Sequence, residues 1–237
     1  IDQSKSKNGR PTVYGKFGGD MALLVGDALL FKGFNLLFKA AENIPNDKMI
    51  KIIHTVNKTF FQLGDAEALE LQFQRSLNLP PEEYLQVIKK KAANVEAHTR
   101  IGAIIGGGTD AEIEALGNYG LALGTMLIIQ DEVVDTLDPK EFLHRIRYEC
   151  PPLPILYALK NPEAKREFQS LLKQKTKKQN VEKLMKIVTE TKEMKDLEDN
   201  IRNLAEKCYL QINRVKHAKR DLNLLVSALL STAKLKN

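Results

Sequence analysis

Residues 119–135, YGLALGTMLIIQDEVVD, run from small and branched apolar residues into three carboxylates, Asp131, Glu132 and Asp135. At 3.6 residues per turn, positions i and i+4 of a helix share a face, so Asp131 and Asp135 point the same way, with Glu132 beside them. Like charges one turn apart repel, and with Pro139 taken as the helix end they also lie near its negative pole. A hard divalent cation offsets both penalties, because Mg²⁺ takes oxygen ligands. An acidic helix end in water is the plain alternative. The apolar run ahead of the carboxylates predicts a helix buried around most of its circumference. The chain must therefore supply neighbours that enclose it.

Those neighbours read as helices. Apolar residues recur at three and four over residues 21–42, MALLVGDALLFKGFNLLFKAAE. That pattern places Asp27 close to the core and Phe31, Phe34 and Phe38, with Phe17, inside it. Pro45-Asn46-Asp47 signals a turn and an N-cap, and a helix follows over residues 47–75. Pro80-Pro81-Glu82-Glu83 opens the next, with acidic residues in its first turn. It carries Lys89, Lys90 and Lys91 and extends to residue 105, before Gly106-Gly107-Gly108. Thr109 and Glu112 fit a capping box that starts the acidic-ended helix.

Residues 140–154, KEFLHRIRYECPPLP, read as a break region after Pro139, followed by short helical pieces to residue 173. Residues 175–200 are rich in Lys and Glu, which suggests an exposed helical hairpin, and the final helices cover residues 197–235. Residues 3–12 read as a loop, and no segment alternates as a strand does. The expected class is all-α, a single-domain bundle over residues 1–237.

The net charge of +6 is spread through helix-like segments, as a solvated surface would have it; an anionic substrate is the alternative, ahead of nucleic acid. No aromatic-basic platform or zinc spacing is present. Cys150 and Cys208 lack metal spacing and read as reduced thiols of a cytoplasmic protein. No signal peptide is seen, and no apolar run reaches the ~18 residues of a transmembrane segment. The sequence opens at Ile1, without Met, on a polar stretch, which suggests further residues upstream.

Several motifs recur in one order: Asp2; Lys7-Asn8-Gly9-Arg10-Pro11-Thr12; Tyr14-Gly15-Lys16-Phe17-Gly18; LLVGDALL; a lysine segment before a small-residue turn; then YGLALGTMLIIQDEVVD. This order resembles the trans-isoprenyl diphosphate synthases of the polyprenyl synthetase family, of the short-chain farnesyl and geranylgeranyl type. The family pattern is an aspartate-rich motif, RRGxPT, GDxLL, a KT lysine and FQxxDDxxD. The resemblance implies an all-α isoprenoid-synthase bundle around a deep apolar cavity, with its N-terminal helices outside this sequence. It implies Mg²⁺ held between two aspartate-rich helix ends. The substrates would be isopentenyl diphosphate and an allylic prenyl diphosphate, and the product a C15 to C25 prenyl diphosphate. A homodimer through long apolar helices such as the one near Met21 is the family expectation, a heteromer the other option.

Carried over residue by residue, Asp2, Asp131, Glu132 and Asp135 are the expected metal ligands. Lys7, Asn8, Lys90, Lys91 and Arg145 are the expected diphosphate-binding positions, and Lys90, Asp131 and Asp135 the catalytic ones. Three consecutive lysines leave the register of Lys90 open by one. The chain departs from the pattern at Lys7 and Asn8 (for two arginines), Lys91 (for threonine) and Glu132 (for aspartate). Ile128 replaces a glutamine, with Gln130 two residues away, and Glu149-Cys150-Pro151-Pro152-Leu153-Pro154 lacks the lysine of GKxTLP. These departures motivate an alternative in which the chain is a catalytically weak regulatory subunit of a heteromeric synthase. A cyclising terpene synthase on the same fold is a third reading.

Overall fold

Helix accounts for nearly all regular structure in the computed structural model, which describes residues 3–7, 9–174 and 178–232. The chain divides into two compact units, residues 1–53 and 54–237.

The first unit opens with a two-stranded antiparallel ladder, β1 (Ser6–Lys7) and β2 (Arg10–Pro11), in which Lys7 lies opposite Arg10. Gly9 closes the turn at a φ of 72°, a left-handed conformation that glycine adopts without steric cost. Strands of two residues are too short to show alternation, so residues 3–12 read as loop from sequence. The Thr12 hydroxyl caps α1 (Val13–Phe17), accepting from the Gly15 N–H at 2.9 Å and donating to the Ser4 carbonyl at 2.6 Å. Helix α2 (Gly19–Ala41) follows. The unit ends within α3 (Asn46–Phe73), where Met49 and Ile52 are buried.

The structure corrects the reading of α2. None of its residues is buried, Asp27 is exposed, and Phe31 and Phe38 are 73% and 67% exposed. Phe17 and Phe34 are exposed as well. The apolar residues of α2 are not confined to one stripe, so periodicity alone could not say which face packs. The helix is also long and apolar enough to cross a membrane, by length and composition, contrary to the expectation that no segment is.

The second unit is built around α6 (Asp110–Leu137). The capping box forms as expected: the Glu112 N–H donates to the Thr109 hydroxyl at 3.3 Å, and the Thr109 N–H donates to the Glu112 carboxylate at 3.0 Å. Helix α6 packs chiefly on α5 (Ala93–Ile105) and α11 (Met194–Ile212), and also meets α4 (Pro81–Lys91), α7 (Pro139–Tyr148), α8 (Leu153–Ala158) and α12 (Lys219–Thr232). Its buried residues, among them Tyr119, Met126, Ile129, Glu132 and Thr136, bear out the enclosed helix. Helices α9 (Pro162–Lys173) and α10 (Lys178–Glu190) complete the unit.

Three local expectations change. The helix foreseen over residues 80–105 divides at Ala92 into α4 and α5. The break region after Pro139 is helix α7. Asp138 caps it by accepting from the Lys140 and Glu141 N–H groups at 2.8 and 3.1 Å, and Pro139 at the first helical position starts the helix rather than breaking it. The supposed exposed hairpin is half buried. Val181, Leu184 and Val188 of α10 and Leu197 and Ile201 of α11 form apolar stripes beneath the Lys and Glu surface.

The α5–α6 approach depends on glycine. A Cβ on Gly120 would meet the Thr99 hydroxyl and come within 2.7 Å of the Val95 carbonyl oxygen, which the helix backbone cannot yield. Gly120→Ala is expected to lower stability by about 1–3 kcal/mol in urea unfolding, the range for overpacking. Gly26→Ala in α2, with open space around it, is expected to leave stability unchanged or raise it by up to about 1 kcal/mol, the helix-propensity gain. Cys150 and Cys208 are 2% and 0% exposed, and burial pushes the Cys208 thiol up to about 12 and Cys150 higher still. Both thiols should resist alkylation at pH 8 in the native protein and react on unfolding, as thiol titration with and without denaturant would read out.

Candidate functional site

The last turns of α6 divide the acidic motif between two environments. Asp131 is exposed and Asp135 half-buried, one turn apart on the same face. Glu132 is 3% exposed. A step of one residue turns about 100° around the helix axis, enough to carry the side chain from the surface to the interior. Glu132 therefore lies in the interior, apart from the exposed Asp131, although it stays one turn from Asp135.

Three donors meet Glu132. Its Oε1 accepts from the Tyr84 hydroxyl at 2.7 Å and from Arg145 Nη2 at 3.0 Å, and its Oε2 accepts from the Leu153 N–H at 2.8 Å. Tyr84 lies on α4, Arg145 on α7 and Leu153 at the start of α8, so one carboxylate ties three helices to α6. Burial raises the Glu132 carboxyl above the ordinary range, opposed by the Arg145 charge and the Leu153 and Tyr84 hydrogen bonds. Burial works against the Arg145 cation too, but Glu132, Glu149 and Asp135 outweigh it, and the guanidinium stays charged. Burial, then Glu132 and Glu70, push the Tyr84 phenol well above its usual value, so it serves as a neutral donor.

The network continues on both sides. Arg145 Nη1 donates to Asp135 Oδ2 at 3.0 Å, and its Nε lies 3.2 Å from Glu149 Oε2. The Tyr84 oxygen is also 3.0 Å from Glu70 Oε1, whose second oxygen accepts from Lys91 Nζ at 2.7 Å. Lys90 pairs with Asp65 at 3.1 Å nearer the surface. The two lysines left open by register thus have different surroundings. Lys91 belongs to the Glu70–Tyr84–Glu132–Arg145 chain of contacts, and Lys90 to an exposed pair.

The expected residues therefore separate. Arg145, expected to meet substrate, is 14% exposed and has carboxylates on all three of its nitrogens. Gln130, the nearest glutamine to the substituted Ile128, donates to the Leu229 carbonyl of α12 at 2.9 Å. Lys7 is exposed on β1 in the first unit, with Arg10 opposite it as a second exposed cation. Asp2 and Asn8 lie outside the described residues. A pocket of about 480 Å³ in the second unit, walled by Leu77, Leu79, Leu156 and Leu159, includes none of the expected site residues.

Sequence reasoning did not single out Tyr84, Glu70 or Asp65. The one available signal was spacing on α4: Tyr84 and Lys91 are seven residues apart and share a face.

Among the described residues, no group of three or more His, Cys, Asp or Glu side chains is placed to hold a metal ion. Mg²⁺ does not require such a cage. It keeps several waters and is commonly held by one or two carboxylates together with substrate phosphates. Asp131 and Asp135, accessible and one turn apart, fit that donor set, whereas Glu132 does not.

A family model described as polyprenyl synthetase matches residues 1–191. The chain belongs to the polyprenyl synthetase family. It is 32% identical over 143 residues to the geranylgeranyl diphosphate synthase of Sulfolobus acidocaldarius, a match covering 60% of this chain and 43% of that protein. It is 33% identical over 145 residues to the short chain isoprenyl diphosphate synthase of Methanothermobacter thermautotrophicus, again 60% of this chain and 43% of that one. The matched part thus spans less than half the length of these curated relatives. The crystal structure of geranylgeranyl pyrophosphate synthetase from Pyrococcus horikoshii superposes with a TM-score of 0.83 at 24% identity, over 97% of this chain and 72% of that one. This likeness bears out the helical polyprenyl synthetase fold.

Removing one partner of a buried ion pair leaves an uncompensated charge. Arg145→Met is expected to lower stability by about 3–5 kcal/mol, and Tyr84→Phe by about 1–3 kcal/mol through the unmet carboxylate bond. Urea unfolding at neutral pH measures both.

Proposed function

We propose that the protein is a trans-prenyltransferase. It condenses isopentenyl diphosphate with an allylic prenyl diphosphate, head to tail, into a short-chain all-trans product in the C15 to C25 range. The observation that carries this reading is the pair of accessible carboxylates, Asp131 and Asp135, at the end of an enclosed helix in a member of this family. Relatives named as geranylgeranyl, geranylfarnesyl and short chain isoprenyl diphosphate synthases support the product class.

In this reading Asp131 and Asp135 hold Mg²⁺, which when bound neutralises the charge that grows on a departing diphosphate. Lys90 supplies further positive charge to a diphosphate. The allylic C–O bond breaks as diphosphate leaves, the isopentenyl double bond attacks the resulting cation, and the proton lost from the adduct passes to the departed diphosphate; an apolar, water-excluding surround would protect the cation meanwhile. The exposed apolar residues of α2 support a homodimer assembled on that helix, and the family reading carries with it a place in the cytoplasm.

The test is incubation with labelled isopentenyl diphosphate, an allylic diphosphate of each length and Mg²⁺, with products separated by chain length. Elongation that EDTA abolishes is expected. Asp131→Ala and Asp135→Ala should each lower kcat/KM by about 100-fold or more, the scale for losing an electrostatic stabiliser of the transition state. Unaltered turnover in Asp131→Ala would remove the acidic helix end from the mechanism.

A further inference from the structure

Arg145 joins two residues of unlike fate. Through Nη2 it meets the buried Glu132 at 3.0 Å, and through Nη1 it meets Oδ2 of the accessible Asp135 at 3.0 Å. Glu132 and Asp135 are three residues apart on α6, so a planar two-pronged cation from outside the helix spans them along one edge. Arg145 reaches them because α7 folds back after Asp138, with Phe142 and Ile146 buried on the same helix. The guanidinium cannot readily move, since Glu132 is itself fixed by Tyr84 and the Leu153 N–H. A carboxylate has two oxygens, and this pairing uses one.

We infer that Glu132 and Arg145 are positioning residues for Asp135: the buried pair fixes the rotamer and the free oxygen that Asp135 offers to a metal–diphosphate ligand. The inference rests on the proposed function for the metal's role. It reassigns both side chains, Glu132 from metal ligand to anchor, and Arg145 from substrate contact to a clamp on a ligand. Partners that orient a metal ligand typically govern 10–100-fold in metal affinity.

The experiment is calorimetric titration of inorganic diphosphate at graded Mg²⁺ concentrations, which needs no turnover. Glu132→Gln with Arg145→Met removes both charges together and avoids leaving either one buried alone; thermal unfolding checks that the double variant folds. Its half-saturating Mg²⁺ concentration should rise about 10–100-fold over wild type. In an Asp135→Ala background the same double substitution should produce no further rise, because the pair acts through Asp135. Arg145→Lys keeps the charge against Glu132 and loses the fork, and should give a smaller rise. An unchanged Mg²⁺ requirement in the double variant or in Arg145→Lys, or an equal rise with Asp135 absent, overturns the inference and leaves the proposed function standing. Wild-type protein that binds diphosphate without regard to Mg²⁺ overturns both.

Discussion

The second unit depends on one buried ion pair. Glu132 and Arg145 are largely shielded from water, and desolvation of that kind is offset only when geometry is good and the remaining lone pairs and protons are satisfied. Glu132 accepts from a phenol, a guanidinium and a backbone N–H, and Arg145 donates through both Nη atoms, while its buried Nε stands 3.2 Å from Glu149 without a hydrogen bond. The pair joins α4, α6, α7 and the start of α8 at a single point. A hydrophobic replacement could pack the same volume, but it would not fix the direction of Asp135.

The arrangement separates two roles that a run of carboxylates leaves merged. Asp131 and Asp135 face outward, where a cation and its waters have room. Glu132 faces inward and sets the frame. The substitution of Glu for Asp in the family pattern suits this division. Its extra methylene lengthens the side chain, and at this position the carboxylate meets the Leu153 N–H at 2.8 Å and Tyr84 at 2.7 Å. Lys91 and Glu70 extend the same network to the lysine-bearing end of α4, while Lys90 beside it stays in its exposed pair with Asp65.

Much of the fold was legible because local signals are strong where they are chemical. The Thr109–Glu112 capping box, the proline-started α4 and the enclosed α6 all come from residue types at fixed offsets. What escaped was tertiary. Pro139 can stop one helix or start another, and the Phe142–Ile146 pair showing that α7 continues is a single apolar repeat four residues apart. Periodicity located α2 but not its neighbours, since no single stripe marks a packing face. The candidate site was half legible. One-turn spacing identified Asp131 and Asp135, yet the same spacing cannot tell whether the residue between them meets water or Arg145. Tyr84 and Glu70 left no mark, because partners 48 and 14 residues away from Glu132 and Tyr84 in the chain are joined only by folding.

The most direct measurement is a crystal structure of the protein with Mn²⁺ and inorganic diphosphate, with the metal located by its anomalous signal. The predicted result is metal bound by Asp131 and Asp135 while Glu132 keeps its bonds to Arg145, Tyr84 and the Leu153 N–H. Metal ligated by Glu132, or Arg145 released from the carboxylates onto the diphosphate, would contradict the account.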